Sequence, residues 1–301
     1  MDKLQALSKV LDGLMTRYKQ RVPNVAAILD AMMGEELIHK AEDIENDHIA
    51  FRTMRVPLLG VQSLEKIFLH YGYTKKEHYY FEQKKLDAWW YAPPAPQYPR
   101  IFISELRVNE LPADAQQIIY SYTNEVKSDP VDQLNLDDAE KVDEFLHSGL
   151  WRLPSFPDYQ SLAQVSEYAA WVIYNRYYLN HFTISVHNLP DGYNTIVSFN
   201  VFLEKKGFLL NDAGGKIKTS PDGGLLQSST IAAMVEAAFS DGVKQMIPGS
   251  YVEFAERKVL PQFASLPGEE ITRVHRRDGF EAGNADKIFE STYTSQTERN
   301  K

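Results

Sequence analysis

What most constrains the fold of this chain is that one order of elements is written twice. "HIAFRT" reads as a strand, "VQSLEKIFLHYGY" as an amphipathic helix closing on Gly72, and "YFEQKKLDAWWYAPP" and "RIFISELRV" as strands. Residues 111–180 then carry helical pattern, after which the order returns. "HFTISVH" is a strand, "TIVSFNVFLEKKGF" a helix closing on Gly207, and "GGLLQSSTIAAMV" and "GSYVEFAERKVL" are strands. Each unit opens on a His-bearing strand, at His48 or His181, and closes on a Glu-bearing one, 57 residues later at Glu105 or 72 residues later at Glu253. The repeat lies in the order and type of element, not in residue identity. Two βαβββ modules of this kind can pair their sheets into a half-open barrel around one cavity. The expected class is therefore α+β.

The remaining segments attach to that core. Residues 2–45 have helical periodicity, with Leu4, Leu7, Val10, Leu11 and Leu14 on one face and a second apolar run near Val25–Met33. The expected organisation is N-terminal helices over 1–45, a first module over 46–110, a helical insertion over 111–180, and a second module with a polar tail over 181–301. Together these would make one catalytic domain. "NDAGGKIKTSPDGG" lacks the GKS/T ending of a phosphate-binding loop and reads as a hairpin connection. No GxSxG elbow accompanies the serines.

Composition removes several chemistries. The chain has no cysteine, which excludes disulfides, thiolate metal sites and thiol nucleophiles, so any metal must be held by His, Asp or Glu. A formal net charge of −9 argues against nucleic acid or an anionic membrane surface as a partner, while leaving room for a local basic pocket. The N-terminus is amphipathic and charged, without the apolar core of a signal peptide, and no run approaches the roughly 20 apolar residues of a membrane span. These features lead to an expectation of a cytoplasmic protein. On oligomeric state the sequence is silent.

Strand periodicity places the chemistry. Side chains at even spacing share a face, so His48, Ala50 and Arg52 point the same way if their strand has no bulge. By the same rule His181, Thr183, Ser185 and His187 share a face, as do Glu253, Ala255 and Arg257. Two imidazoles and one carboxylate form the facial set of non-haem Fe(II) oxygenases, which leaves positions open for a chelating 2-oxo acid and O2. Zinc competes for the same donors. Arg52 lies roughly 13 Å at most along the strand from His48. Its guanidinium could hold the far carboxylate of a diacid.

Other readings stay open at this level. His187 competes with His181 as the ligand on its strand. Arg52 could pair with a core Asp, and Glu253 with Arg257. Glu105 could be a ligand, a group behind the ligands, or a sheet-edge carboxylate. If it joined the other three, the site would suit Lewis-acid chemistry, such as that of a zinc or manganese lyase, isomerase or hydrolase. A metabolite-binding protein without catalysis is a further alternative.

The stretches "DHIAFRT", "NHFTISVH", "LLQSST" and "GSYVEFAER", with "FEAGNADKIFESTY" near the end, resemble the family of 2-oxoadipate dioxygenase/decarboxylases, or hydroxyglutarate synthases, of the vicinal oxygen chelate superfamily. The resemblance implies that His48, His181 and Glu253 bind Fe(II), the "NHFT" context favouring His181 over His187. It implies that Arg52 grips a substrate carboxylate and that Gln227 and Ser229 line the pocket. Glu105, His187 and Arg257 would stand behind the ligands. The implied reaction takes 2-oxoadipate and O2 to 2-hydroxyglutarate and CO2, in lysine degradation.

Overall fold

The computed structural model describes residues 2–300. Helices α1 (Lys3–Arg21) and α2 (Pro23–Gly34) lead into the first unit: β1 (Asn46–Met54), α3 (Val61–His70), β2 (Thr74–Phe81), β3 (Leu86–Ala92) and β4 (Arg100–Leu106). Four helices follow, α4 (Ala113–Thr123), α5 (Ala139–Phe145), α6 (Phe156–Val165) and α7 (Glu167–Asn175). The second unit comprises β5 (His181–Ser185), α8 (Ile196–Lys205), β6 (Lys218–Thr219), β7 (Leu225–Ser229), a hairpin of β8 (Met234–Ala238) and β9 (Lys244–Pro248), and β10 (Tyr251–Arg257). Short helices α9 (Ala282–Ile288) and α10 (Thr294–Thr297) lie in the C-terminal segment.

Eight strands form one sheet in the order β2-β3-β4-β1-β5-β10-β7-β6, and β8-β9 stand apart from it. The order is symmetric about its middle. β1 pairs parallel with β4, and β5 pairs parallel with β10. β3 runs antiparallel to β4, as β7 does to β10, and the two units meet through the antiparallel β1–β5 pair. The structure is thus a mixed α+β fold with a curled half-barrel sheet built from two related units.

One face of the sheet holds the apolar core. Ile49, Phe51, Ile101, Ile103, Phe182, Ile184, Val252 and Phe254 are all buried there. The Phe68 ring of α3 lies 5.5 Å from Phe51, Phe199 of α8 lies 5.2 Å from Phe254, and Tyr18 of α1 meets Phe182 at 5.7 Å. Each such fully buried side chain contributes on the order of 2 kcal/mol. That burial frees the opposite face from having to supply the core. The entry into α3 depends on Gly60, at φ +83°. A Cβ there would sit 2.8 Å from Glu105 Oε2, the oxygen that accepts the Val61 N–H at 3.0 Å.

Several elements differ from the sequence expectation. "YFEQKKLDAWWYAPP" contains a turn, with β2 ending at Phe81 and β3 starting at Leu86. "GGLLQSSTIAAMV" likewise breaks after Ser229, and Met234 begins a separate hairpin. β5 stops at Ser185 and His187 sits in a 3-10 turn, so the alternation rule does not reach it. The C-terminal segment is no free polar tail: Phe280, Ile288, Phe289, Ser291 and Thr292 are buried. Polar residues there, which by composition resemble an exposed tail, satisfy buried polar groups on the other face of the sheet.

Candidate metal centre

Register shows what that other face carries. In the β1–β5 pair His48 lies opposite Thr183 and Ala50 opposite His181. Along β5–β10, His181 lies beside Tyr251 and Thr183 beside Glu253. Glu253 in turn faces Ser229. His48, Arg52, His181, Thr183, Tyr251, Glu253, Gln227 and Ser229 therefore share one surface.

Three of these side chains converge. One donor atom from each of His48, His181 and Glu253 lies within 4.8 Å of the others, and all three residues are buried. The two Nε2 atoms are 3.4 Å apart; Glu253 Oε1 lies 3.5 Å from His48 Nε2 and Oε2 3.1 Å from His181 Nε2. The far ring nitrogens are already engaged. Asp47 Oδ1 meets His48 Nδ1 at 2.8 Å, and Asn180 Oδ1 meets His181 Nδ1 at 3.1 Å. Both partners are acceptors, so each Nδ1 can carry the proton and leave Nε2 free to donate its lone pair to a metal held jointly with Glu253. Thr183 Oγ1 lies 3.0 Å from His48 Nε2. Two neutral imidazole donors and one carboxylate fit a divalent transition metal.

Electrostatics separates the two imidazoles. For His48, burial opposes the cation, but Glu253 and Asp47 outweigh it and raise its pKa. For His181, burial dominates; Glu253 opposes it, while the His48 and Arg52 charges add to it, and the pKa falls. The difference follows from the second partner, a carboxylate at His48 and a neutral amide at His181. Burial works against ionising Glu253 as well, yet His48 and His181 hold it well below the ordinary carboxylate range.

Behind His48 lies a buried ion network. Asp47 accepts from Arg257 Nε at 2.6 Å and Nη2 at 2.9 Å, with Arg100 Nη1 at 3.3 Å. Against burial, these two guanidiniums keep Asp47 well below its usual range. Behind Glu253, Gln227 Nε2 donates to Oε1 at 2.5 Å, and Gln227 Oε1 accepts from Asn284 Nδ2 at 2.9 Å. Every donor group of the triad thus has its own orienting partner.

Arg52 is 1% exposed. Among the described residues no carboxylate lies within ion-pair distance of it. Its Nη1 donates to Thr292 Oγ1 at 2.8 Å and its Nη2 to the Phe289 carbonyl at 2.9 Å. The rings of Tyr168, Trp171 and Phe289 surround the guanidinium at 5.2, 5.3 and 5.7 Å. A buried cation without a counter-ion, on the same face as the triad, could receive an anion.

The other sequence candidates fall in different places. Glu105 lies opposite Thr53, on the helix face, where its Oε1 accepts from Arg55 Nε at 2.7 Å and its Oε2 caps Val61. It is far from a ligand role. Register gives Glu253 a different counterpart: Glu253 lies beside Thr183, and Phe102 lies beside Ala50, at the corresponding place in the first unit. The fourth position is therefore apolar. His187 Nδ1 accepts the Arg257 N–H at 3.2 Å and takes no part in the triad. Gln227 is bonded to Glu253, and Ser229 Oγ lies 2.8 Å from Ser291 Oγ, both on the triad face. Sequence reasoning missed Asp47, Asn180 and the C-terminal residues Phe280, Asn284, Phe289 and Thr292. An Asx residue directly preceding each candidate His was the available signal for the first two.

Comparison with known proteins follows the geometry. The sequence profile described as 2-oxoadipate dioxygenase/decarboxylase matches residues 10–267. The chain is 44% identical over 303 residues to the chloroplastic 2-oxoadipate dioxygenase/decarboxylase of Arabidopsis thaliana, covering 96% of this chain and 78% of the relative. It is 43% identical to the chloroplastic/amyloplastic enzyme of Oryza sativa, over 96% of this chain and 79% of the relative. The crystal structure of the Oryza sativa hydroxyglutarate synthase in complex with 2-oxoadipate superposes with a TM-score of 0.87 at 42% identity, covering 96% of this chain and 93% of that one. A glyoxalase superfamily protein of Ralstonia eutropha shares the fold, with a TM-score of 0.70 at 20% identity over 90% of this chain and 84% of that one. These relatives overturn the expectation of a cytoplasmic protein, since their names place them in plastids. Among the described residues no helix is long and apolar enough to cross a membrane. A family profile that matches residues 10–267, and 44% identity over 96% of the chain, show that the chain belongs to the 2-oxoadipate dioxygenase/decarboxylase family.

Proposed function

We propose that this chain is an Fe(II)-dependent dioxygenase/decarboxylase that converts 2-oxoadipate and O2 to 2-hydroxyglutarate and CO2, with residues 2–300 acting as one catalytic unit. The observation that carries this reading is the pairing of a three-donor set with an uncompensated buried arginine. His48 Nε2, His181 Nε2 and one oxygen of Glu253 would hold the metal, which supplies the redox chemistry for oxygen activation when bound. Three protein donors would leave room at the metal for a 2-oxo carboxylate and O2. Arg52 receives the other carboxylate, so the length of the acid is read by the distance between the triad and the guanidinium. Phe280, whose ring lies 4.8 Å from that of His48, and Phe102 keep water from that side of the site. Asp47, Asn180 and Gln227 fix the donor orientations before substrate arrives. The reaction balances: six carbons of 2-oxoadipate leave as five in the hydroxy acid and one in CO2, and both oxygen atoms of O2 are retained in the products.

Lewis-acid chemistry with four protein ligands is the poorer reading, because Phe102 occupies the fourth place and Glu105 faces away. The deciding experiment is oxygen uptake by protein reconstituted anaerobically with Fe(II). Uptake with 2-oxoadipate, matched one-to-one by CO2 and 2-hydroxyglutarate, is expected. Failure with 2-oxoadipate and with 2-oxoglutarate, despite bound iron, would overturn the proposal.

A further inference from the structure

Two buried polar atoms on the triad face have no protein partner: Arg52 Nε and the Tyr251 hydroxyl. Nη1 of Arg52 donates to Thr292 and Nη2 to the Phe289 carbonyl, both in the C-terminal segment. Of the three guanidinium nitrogens, Nε alone has no partner, so its N–H is open to a ligand. Tyr251 is 0% exposed, and its ring lies 4.8 Å from that of His181.

Register fixes which end of the site these atoms occupy. Tyr251 lies beside His181, and His181 lies opposite Ala50, so Tyr251 is one step from His48 in the direction of Arg52. Asp47, Arg100 and Arg257 lie at the other end, where their charges satisfy one another. The guanidinium is near enough to the phenol to act on it, yet the two do not form a hydrogen bond of good geometry. The Arg52 Nε–H can only donate, and the buried Tyr251 O–H has no acceptor among the described residues; an anion seated against both would satisfy both.

We propose that Tyr251 is the second half of a carboxylate clamp: its O–H and the Arg52 Nε–H each donate to one oxygen of the substrate's distal carboxylate, making Tyr251 a determinant of specificity for diacids. This inference rests on the proposed 2-oxo diacid substrate and deepens it. A tyrosine hydroxyl carries its proton at neutral pH, so it is available as a donor. Because Thr292 and Phe289 hold the guanidinium from the far side, the clamp is fixed before binding.

The test compares binding of 2-oxoadipate and of 2-oxohexanoate, which has the same chain length without the distal carboxylate, to Fe(II)-loaded protein by anaerobic calorimetry. Tyr251→Phe should weaken 2-oxoadipate binding by about tenfold or more, as expected for loss of a hydrogen bond to a charged group. Binding of 2-oxohexanoate should be unchanged. Equal losses for both acids, or no loss for the diacid, would overturn the clamp while leaving the proposed substrate intact. If the unaltered protein binds neither acid, the functional reading falls and the clamp with it. A second readout guards against a merely structural effect: removing an unpartnered buried hydroxyl should leave Tm of the substrate-free protein unchanged or raised. A lowered Tm would show that the hydroxyl is already satisfied within the fold, and would overturn the proposal.

Discussion

Asp47 and His48 are chain neighbours whose side chains meet at 2.8 Å on the same side of the sheet. A regular strand forbids this, since successive side chains point to opposite faces. The β1–β5 register shifts between Asn46 and His48, leaving Asp47 as the extra residue of a bulge. The bulge turns Asp47 under the imidazole, while His48, Ala50 and Arg52 beyond it keep their alternation. Its consequence is measurable. Asp47→Asn keeps the shape but removes the charge that makes His48 the stronger base, and metal affinity should fall about 10–100-fold. Asn180→Ala should cost less, because it removes only a neutral acceptor. Competition titration with a chromophoric chelator reads both, and equal losses would show that the charge of Asp47 is irrelevant.

Arg52 is expected to separate substrate binding from metal binding. Arg52→Met retains much of the side-chain volume within the Tyr168, Trp171 and Phe289 rings but removes the charge. Metal occupancy should stay full. Affinity for 2-oxoadipate should drop by about 2 kcal/mol or more, the cost of leaving a buried carboxylate unpaired. The variant also loses the donors to Phe289 and Thr292, so proteolysis within residues 281–297 should quicken. Unchanged diacid affinity would make Arg52 a structural tie alone.

How much of this was legible in the sequence depends on the range of each interaction. Alternation alone put His48 with Arg52, and the paired units suggested that His181 and Glu253 could meet them, because a strand's faces are local properties. Asp47 was hidden by the bulge, which breaks the rule that found its neighbour. Glu105 matches Glu253 only in strand content, which carries no register; the register gives Phe102 that place. Asn284, Phe289 and Thr292 reach the site from residues more than fifty positions away from any strand residue they touch. No local pattern encodes such closure. Their polarity instead resembled that of an exposed tail.

His187 should give the protein an acid limit that is independent of the metal. Burial and then the nearby Arg276 charge push its pKa down to about 4, and its neutral Nδ1 accepts the Arg257 N–H. The unfolded chain binds this proton near the ordinary value of 6.5. Stability from this group is therefore fully present above pH 6.5 and is lost as pH falls toward 4, by about 3 kcal/mol at most. Metal-free protein should show this slope in urea melts between those pH values. His187→Gln, which offers a neutral acceptor at every pH, should reduce it, the remainder coming from buried groups such as His181; an unchanged slope would place the acid-sensitive group elsewhere.

The symmetry of the two units predicts a latent fourth ligand position. Glu253 reaches across Thr183 toward His48, and the corresponding residue Phe102 lies beside Ala50, which is opposite His181. Phe102 packs its ring 4.9 Å from Phe280. Phe102→Glu should therefore destabilise the metal-free protein by about 3 kcal/mol or more, through lost packing and a buried carboxylate. A divalent metal should restore more stability to this variant than to the unaltered chain, because it binds a folded state that now offers two carboxylates. With one more position filled, oxygen consumption with 2-oxoadipate should fall even where metal content is full. Thermal melts with and without Mn(II), set beside oxygen uptake with Fe(II), check both arms. A metal-induced Tm shift no larger than in the unaltered protein would show that the symmetry of the strands does not extend to the donor positions.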